Sequence, residues 1–241
     1  MTGWGPEEYR RLRRAKMDKV AIVTGASGGI GCAAAEELGR QGYRLALLDL
    51  DVAANESERV LVQSCDVRSP REAERATTST LERFGRIDVL FNSAGVSHLG
   101  TVDERELEDL ERVYDVNVKG AFNMTKGVWT CMKRQKSGYI INRGSLRGIQ
   151  CEPGKAAYSI GKFAVRAFAR TLAVEVKDCG IRVTVINPGF VQTDLIRHRI
   201  AEEQLSPREL TQPADIARTI TYLLSLSPGA CVEELCLGRI W

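Results

Sequence analysis

Tyr158 and Lys162 stand four residues apart in a stretch with helical patterning, so their side chains share one helix face. Moving a hydride on or off a carbon that bears oxygen also requires a proton to reach or leave that oxygen. A free tyrosine is a weak base near neutral pH, because its pKa is about 10. A neighbouring ammonium favours the phenolate and lowers that pKa. The pair can therefore act as a general acid/base. The spacing alone is common, and an exposed helical contact explains it equally well until other residues are added.

A second candidate lies near the start of the chain. Thr24-Gly-Ala-Ser-Gly-Gly-Ile-Gly31 sits between the apolar run Val20–Val23 and a helical pattern reaching Leu38. Residues without Cβ let such a turn adopt positive φ and let a pyrophosphate approach the backbone. The helix that follows would aim its free N–H groups and positive dipole end at the phosphates. Gly25, Ser27, Gly28, Gly29, Ile30 and Gly31 are the candidate contacts. Asp49 ends the next apolar run, eighteen residues after Gly31. That is close to the spacing of a carboxylate that binds ribose hydroxyls. Such a carboxylate repels a 2′-phosphate, and Leu50 rather than a base follows it, so NAD is favoured over NADP.

The elements that must position these residues can be read from hydropathy. Short apolar runs fall at 20–23, 44–48, 60–64, 87–91, 139–142 and 181–186. Helical patterns fall at about 70–84, 105–135, 156–178 and 213–226. This alternation predicts one α/β domain: a doubly wound parallel sheet of about seven strands with helices on both faces. Residues 51–59 leave too little room for the usual crossover helix, so a single turn or none is expected. The one boundary falls near Met17, dividing a basic N-terminal extension (1–17) from the domain (18–241).

Further residues in order along the chain complete a pattern: Asn92-Ser-Ala-Gly95, Asn117, Ser145 and Asn187-Pro-Gly189. With the glycine loop and the Tyr158/Lys162 pair, the chain from Lys19 onward resembles the short-chain dehydrogenase/reductase family. The resemblance implies a Rossmann-like NAD(P)-dependent oxidoreductase acting on alcohol or carbonyl groups of a small molecule. It implies that Ser145 bonds the substrate oxygen and Tyr158 exchanges its proton. Lys162 would hold the nicotinamide ribose and tune Tyr158, and Asn117 would hold a water linking Lys162 to solvent. Asp66 and Val67 would meet the adenine, and Asn92, Ala94 and Gly95 the adenosine ribose. Pro188, Gly189, Val191 and Thr193 would lie at the nicotinamide. All four catalytic positions are filled. A dinucleotide-sensing or scaffolding protein on the same fold is therefore the second reading.

Some positions depart from that family's pattern. Asn92-Ser replaces a more usual double Asn. Arg143 replaces an aliphatic residue on a strand expected to be buried, where an unpaired cation is costly. Arg147 is unusual just beyond Ser145. The C-terminal Val232-Glu-Glu-Leu-Cys-Leu lacks the ending common in tetrameric members. The resemblance also places Leu146, Arg147, Gln150, Cys151 and Phe190 around the substrate, with a short charged lid over 194–212 that includes Arg197, His198, Arg199, Glu202 and Glu203. The helix after Tyr158 reads as a polar stripe of Lys162, Arg166 and Arg170 beside a wide apolar arc. That arc is wider than one sheet contact requires, and a homo-oligomer is expected.

Bulk properties narrow the class further. Of 241 residues, 44% are hydrophobic and 27% charged, an ordinary globular balance. No apolar run is long enough to cross a bilayer, and the first residues lack the apolar core of a secretory signal. The formal charge of +3 resides in residues 1–19, with six Lys or Arg against three acids. The balanced remainder argues against nucleic acid as a partner. Seven Cys without C-x-x-C spacing and only two His argue against a metal site. Free thiols fit a reducing cytoplasm.

Overall fold

A computed structural model describes residues 19–196 and 210–238. The basic extension through Asp18 and the lid residues Arg197, His198, Arg199, Glu202 and Glu203 lie outside the described residues.

The strands are β1 (Val20–Thr24), β2 (Arg44–Asp49), β3 (Val60–Ser64), β4 (Val89–Asn92), β5 (Gly138–Arg143), β6 (Ile181–Pro188) and β7 (Glu234–Leu237). They form one seven-stranded sheet in the order β3-β2-β1-β4-β5-β6-β7, and every pairing is parallel. The helices are α1 (Gly29–Arg40), α2 (Pro70–Phe84), α3 (Leu107–Tyr114), α4 (Gly120–Gln135), α5 (Ala156–Glu175) and α6 (Pro213–Ser225). The fold is the doubly wound Rossmann-like α/β architecture that the alternation predicts. No helix forms between β2 and β3, as the short segment there requires.

Period-two burial divides the core between the two sheet faces. Ala21 and Val23 of β1 pack with Ile30 and Leu38 of α1 and with Ile216 and Ile220 of α6. Ile22, on the opposite face, packs with Met124 and Val128 of α4 and Leu172 of α5. On β5, Tyr139 and Ile141 join the α1/α6 side, and Ile140 joins the other. Local chemistry sets the ends of α2: Ser69 Oγ accepts from Glu72 N at 3.2 Å, Pro70 opens the first turn, and Gly85 closes it at φ +77°.

One reading needs correction, and the seventh strand can now be placed. The stretch 105–135 is not one helix. α3 and α4 are joined by a π-helical segment, Asp115–Lys119, in which Gly120 N donates to Asp115 O. Such widened turns often occur at functional sites. The tail 234–237 is also a strand, β7, paired to β6. Its one-sided, half-polar sequence gives no continuous apolar run.

The order in which strands are added reverses at β1, which lies between β2 and β4. The crevice beyond the strand ends at such a switch point is where open α/β sheets bind ligands. Thr24, Asp49, Asn92 and Arg143 all end strands at that edge.

Candidate active site

A cavity of about 300 Å³ occupies this crevice. Gly25, Ser27, Gly28, Gly29 and Ile30 line one wall, and Asp49, Asp66, Val67, Ala94, Gly95 and Thr193 also line it. Gly25 is at φ +66°, and a Cβ there would lie 2.8 Å from the backbone of Ala94. No side chain caps α1, and no acid sits in its first turn. Its N-terminal dipole therefore opens toward the crevice with no acid from its own first turn to answer it. These are the features a dinucleotide pyrophosphate requires, so the residues present fit that group.

Asp49 stands at the end of β2, with its carboxylate accepting from Ser27 N at 3.0 Å and Leu50 N at 2.8 Å. Asp66 is closed on Arg68 at 2.6 Å, and that guanidinium holds its carboxyl below the usual range.

Several expected contacts are set back from this wall. Gly31 lies under Gly25, whose carbonyl occupies the space a side chain would need. Asn92 turns into the core, donating to Asn142 Oδ1 at 3.0 Å and Thr125 Oγ1 at 3.4 Å. Pro188 ends β6, and Val191 is buried beside a bridge to Thr211. Gly189 donates to Leu237 O at 2.7 Å and borders a second pocket instead.

That second pocket, about 70 Å³, is lined by Ser145, Tyr158, Gly189, Leu146, Arg147 and Phe190, together with Ser97, Leu99, Lys155 and Ile196. Gln150 and Cys151 are not part of its wall; Cys151 faces a neighbouring groove with Ile160 and Phe163. Arg147 and Lys155 both pair with Glu152. Ser145 Oγ accepts from Arg147 N at 3.1 Å, and its own O–H is left to donate.

Helix α5 brings Tyr158 and Lys162 to this point. Its Gly161 allows close packing on α3, since a Cβ there would lie 2.7 Å from Val113 Cγ1. Lys162 is only 2% exposed, so it is no part of an exposed polar stripe. Its Nζ lies 5.7 Å from the centre of the Tyr158 ring and donates to Arg143 O at 2.8 Å. Burial first, then the charge of Arg143, pull the Lys162 ammonium well below the ordinary lysine range. The other two stripe residues meet an acid: Glu234 Oε1 is 2.6 Å from Arg166 Nε, and Glu234 Oε2 is 3.8 Å from Arg170 Nη1.

Asn117 sits in the π-helical segment, with its amide clasped to Val96: Oδ1 accepts from Val96 N at 2.8 Å and Nδ2 donates to Val96 O at 3.0 Å. Both ends of the amide thus bond the strand-end loop, each with one bond. Sequence reasoning missed Arg112 and Val116 on the large cavity, and Ser97, Leu99 and Lys155 on the small one. Ser97 and Leu99 follow the Asn92–Gly95 motif closely enough to have been suspected. Arg112 carries no sequence signal.

Among the described residues, no group of three His, Cys, Asp or Glu side chains is placed to hold a metal, and no helix is long and apolar enough to cross a membrane.

Residues 19–204 match the family model described as short chain dehydrogenase. Over 219 residues the chain is 37% identical to a 3-oxoacyl-[acyl-carrier-protein] reductase of Synechocystis sp., covering 85% of this chain and 88% of that protein. It is 34% identical to a 2-(R)-hydroxypropyl-CoM dehydrogenase of Xanthobacter autotrophicus, covering 86% and 91%. Among solved structures, a 3-ketoacyl-(acyl-carrier-protein) reductase from Brucella melitensis complexed with NADH superposes with a TM-score of 0.85 at 27% identity, covering 91% of this chain and 96% of that one.

Proposed function

The chain belongs to the short chain dehydrogenase family, and from that membership we propose that it moves a hydride between NAD(H) and the CH–OH or C=O carbon of a small to medium organic substrate, with Tyr158 as general acid/base. The supporting observation is the convergence of Ser145 and Tyr158 on one pocket, with Lys162 buried directly behind the tyrosine. Arg143 and Ser145, separated by one glycine, line the two cavities in turn.

The bound cofactor supplies the hydride or accepts it. In the reductive direction, Ser145 O–H donates to the substrate carbonyl oxygen and fixes its place. Tyr158 gives that oxygen its phenolic proton as the carbon gains hydride, and the proton is later replaced from solvent. In the oxidative direction the same proton travels from alcohol to Tyr158. Lys162, anchored on the Arg143 carbonyl, holds a cofactor hydroxyl, and Asn117 fixes the Val96 loop beside it.

NAD is the favoured form. Asp49 borders the cavity and the following residue, Leu50, is apolar and 64% exposed. A 2′-phosphate here would face a carboxylate, while the nearby Arg68 is already closed on Asp66.

A homo-oligomer is part of the same reading. Phe122 on α4 and Ile160 and Phe163 on α5 are all exposed apolar side chains. Sedimentation at micromolar concentration should show a species larger than 26.6 kDa; a monomer alone contradicts this.

Quenching or enhancement of NADH fluorescence, followed by turnover of a ketone and alcohol panel, tests the function. Binding without turnover of any substrate would favour the sensing or scaffolding reading.

A further inference from the structure

Arg143 is the last residue of β5, and its side chain continues the face marked by Tyr139 and Ile141, toward α1 and the glycine loop. It lines the large cavity, and a Cβ built on Gly95 would lie 2.5 Å from its Nη2. Its carbonyl receives Lys162 Nζ, which places it at the Tyr158 end of that cavity. Among the described residues, no carboxylate pairs with its guanidinium and no group accepts a hydrogen bond from it. Burial lowers its pKa, but a guanidinium keeps its proton at any ordinary pH. The neighbouring Lys162 is more readily discharged, so Arg143 is the enduring positive charge at this end.

We propose that Arg143 is a specificity-determining residue that makes the site prefer the reduced, uncharged nicotinamide over the oxidised, cationic one, so that NADH binds more tightly than NAD+. The inference rests on the nicotinamide reading of the cavity. Hydride chemistry requires the reacting ring to lie beside the proton donor, Tyr158, and Arg143 is already there. The oxidised ring carries a positive charge that the reduced ring lacks. The rest of the dinucleotide is the same in both forms and cancels from the comparison. A fixed, half-buried cation repels a cationic ring placed beside it, and partial withdrawal from solvent weakens the screening between them. An aliphatic side chain at this position would not discriminate between the two.

Dissociation constants for NADH and NAD+ are measured by fluorescence and calorimetry in wild type, Arg143→Met and Arg143→Lys, with no substrate present. The expected ratio of the NAD+ constant to the NADH constant falls at least about fivefold in Arg143→Met and is retained in Arg143→Lys. A smaller fall in Arg143→Met overturns the inference. So does equal weakening of both ligands, which would mean that Arg143 serves an anion common to both forms. Arg143→Gln replaces the Met variant if that chain does not fold, with the same expected fall. These results leave the cofactor assignment standing. Failure of wild type to bind either ligand would instead remove the nicotinamide reading, and this inference with it.

Discussion

Lys162 Nζ donates to the carbonyl oxygen of Arg143 at 2.8 Å, tying α5 to the end of β5. This bond sets two cationic side chains close together, Arg143 bordering the large cavity and Lys162 near the Tyr158 ring. Neither has a carboxylate partner among the described residues. The arrangement is costly for folding and suited to receiving a polar ligand.

The cost should be visible as a pH dependence of the cofactor-free protein. The folded-state pKa of Lys162 lies below its unfolded value of about 10.4. Between those two values the unfolded chain carries more protons than the folded one. Stability therefore rises with pH across the window and falls as the pH drops through it. Urea unfolding of wild type should show a rising component of up to about 1.4 kcal/mol per pH unit that Lys162→Met lacks. Identical slopes in the two proteins would show that Lys162 is not displaced from its ordinary range.

Cofactor choice should respond to the end of β2. Asp49→Ala combined with Leu50→Arg removes a carboxylate and adds a phosphate partner. The ratio of NADP to NAD affinity should rise at least about tenfold, or about 1.4 kcal/mol. Direct titration of wild type with both ligands comes first. Tighter binding of NADP by wild type would refute the assignment to Asp49.

Two glycines at positive φ separate backbone strain from ligand approach. Gly25 and Gly85 have φ +66° and +77°, but only a Cβ at Gly25 meets neighbouring backbone. Gly85→Ala should cost about 1 kcal/mol of stability and leave NADH binding intact. Gly25→Ala should cost about 1–3 kcal/mol and weaken NADH at least about tenfold. Thermal melts and NADH titration decide; equal effects on binding would place Gly25 outside the phosphate wall.

The strong local signals were legible in the chain. The glycine loop, the strand-ending Asp49 and the i,i+4 pair of Tyr158 and Lys162 each depend on short-range spacing. Burial of strands on both faces made the parallel sheet readable from apolar runs. β7 escaped because it is a short half-polar strand at the sheet edge. The π-turn escaped because a shift from i→i+4 to i→i+5 bonding leaves the same helical pattern. Asn92 and Val191 belong to motifs at the cavity edge, yet point into the core, a difference set by strand pleat and loop path. Arg143 stood out by its type, but its lack of an acid partner depends on residues far away in sequence.

The central claim is that Tyr158 passes the proton that accompanies hydride transfer. Wild type and Tyr158→Phe should be compared with NADH deuterated at the transferable position and a ketone that wild type reduces. The account predicts deuterium at the carbinol carbon in wild type. It predicts a rate about a hundredfold lower or worse in the variant, with NADH affinity unchanged within about threefold. Transfer by Tyr158→Phe at a rate within about tenfold of wild type would contradict the account, because another group would then be the acid.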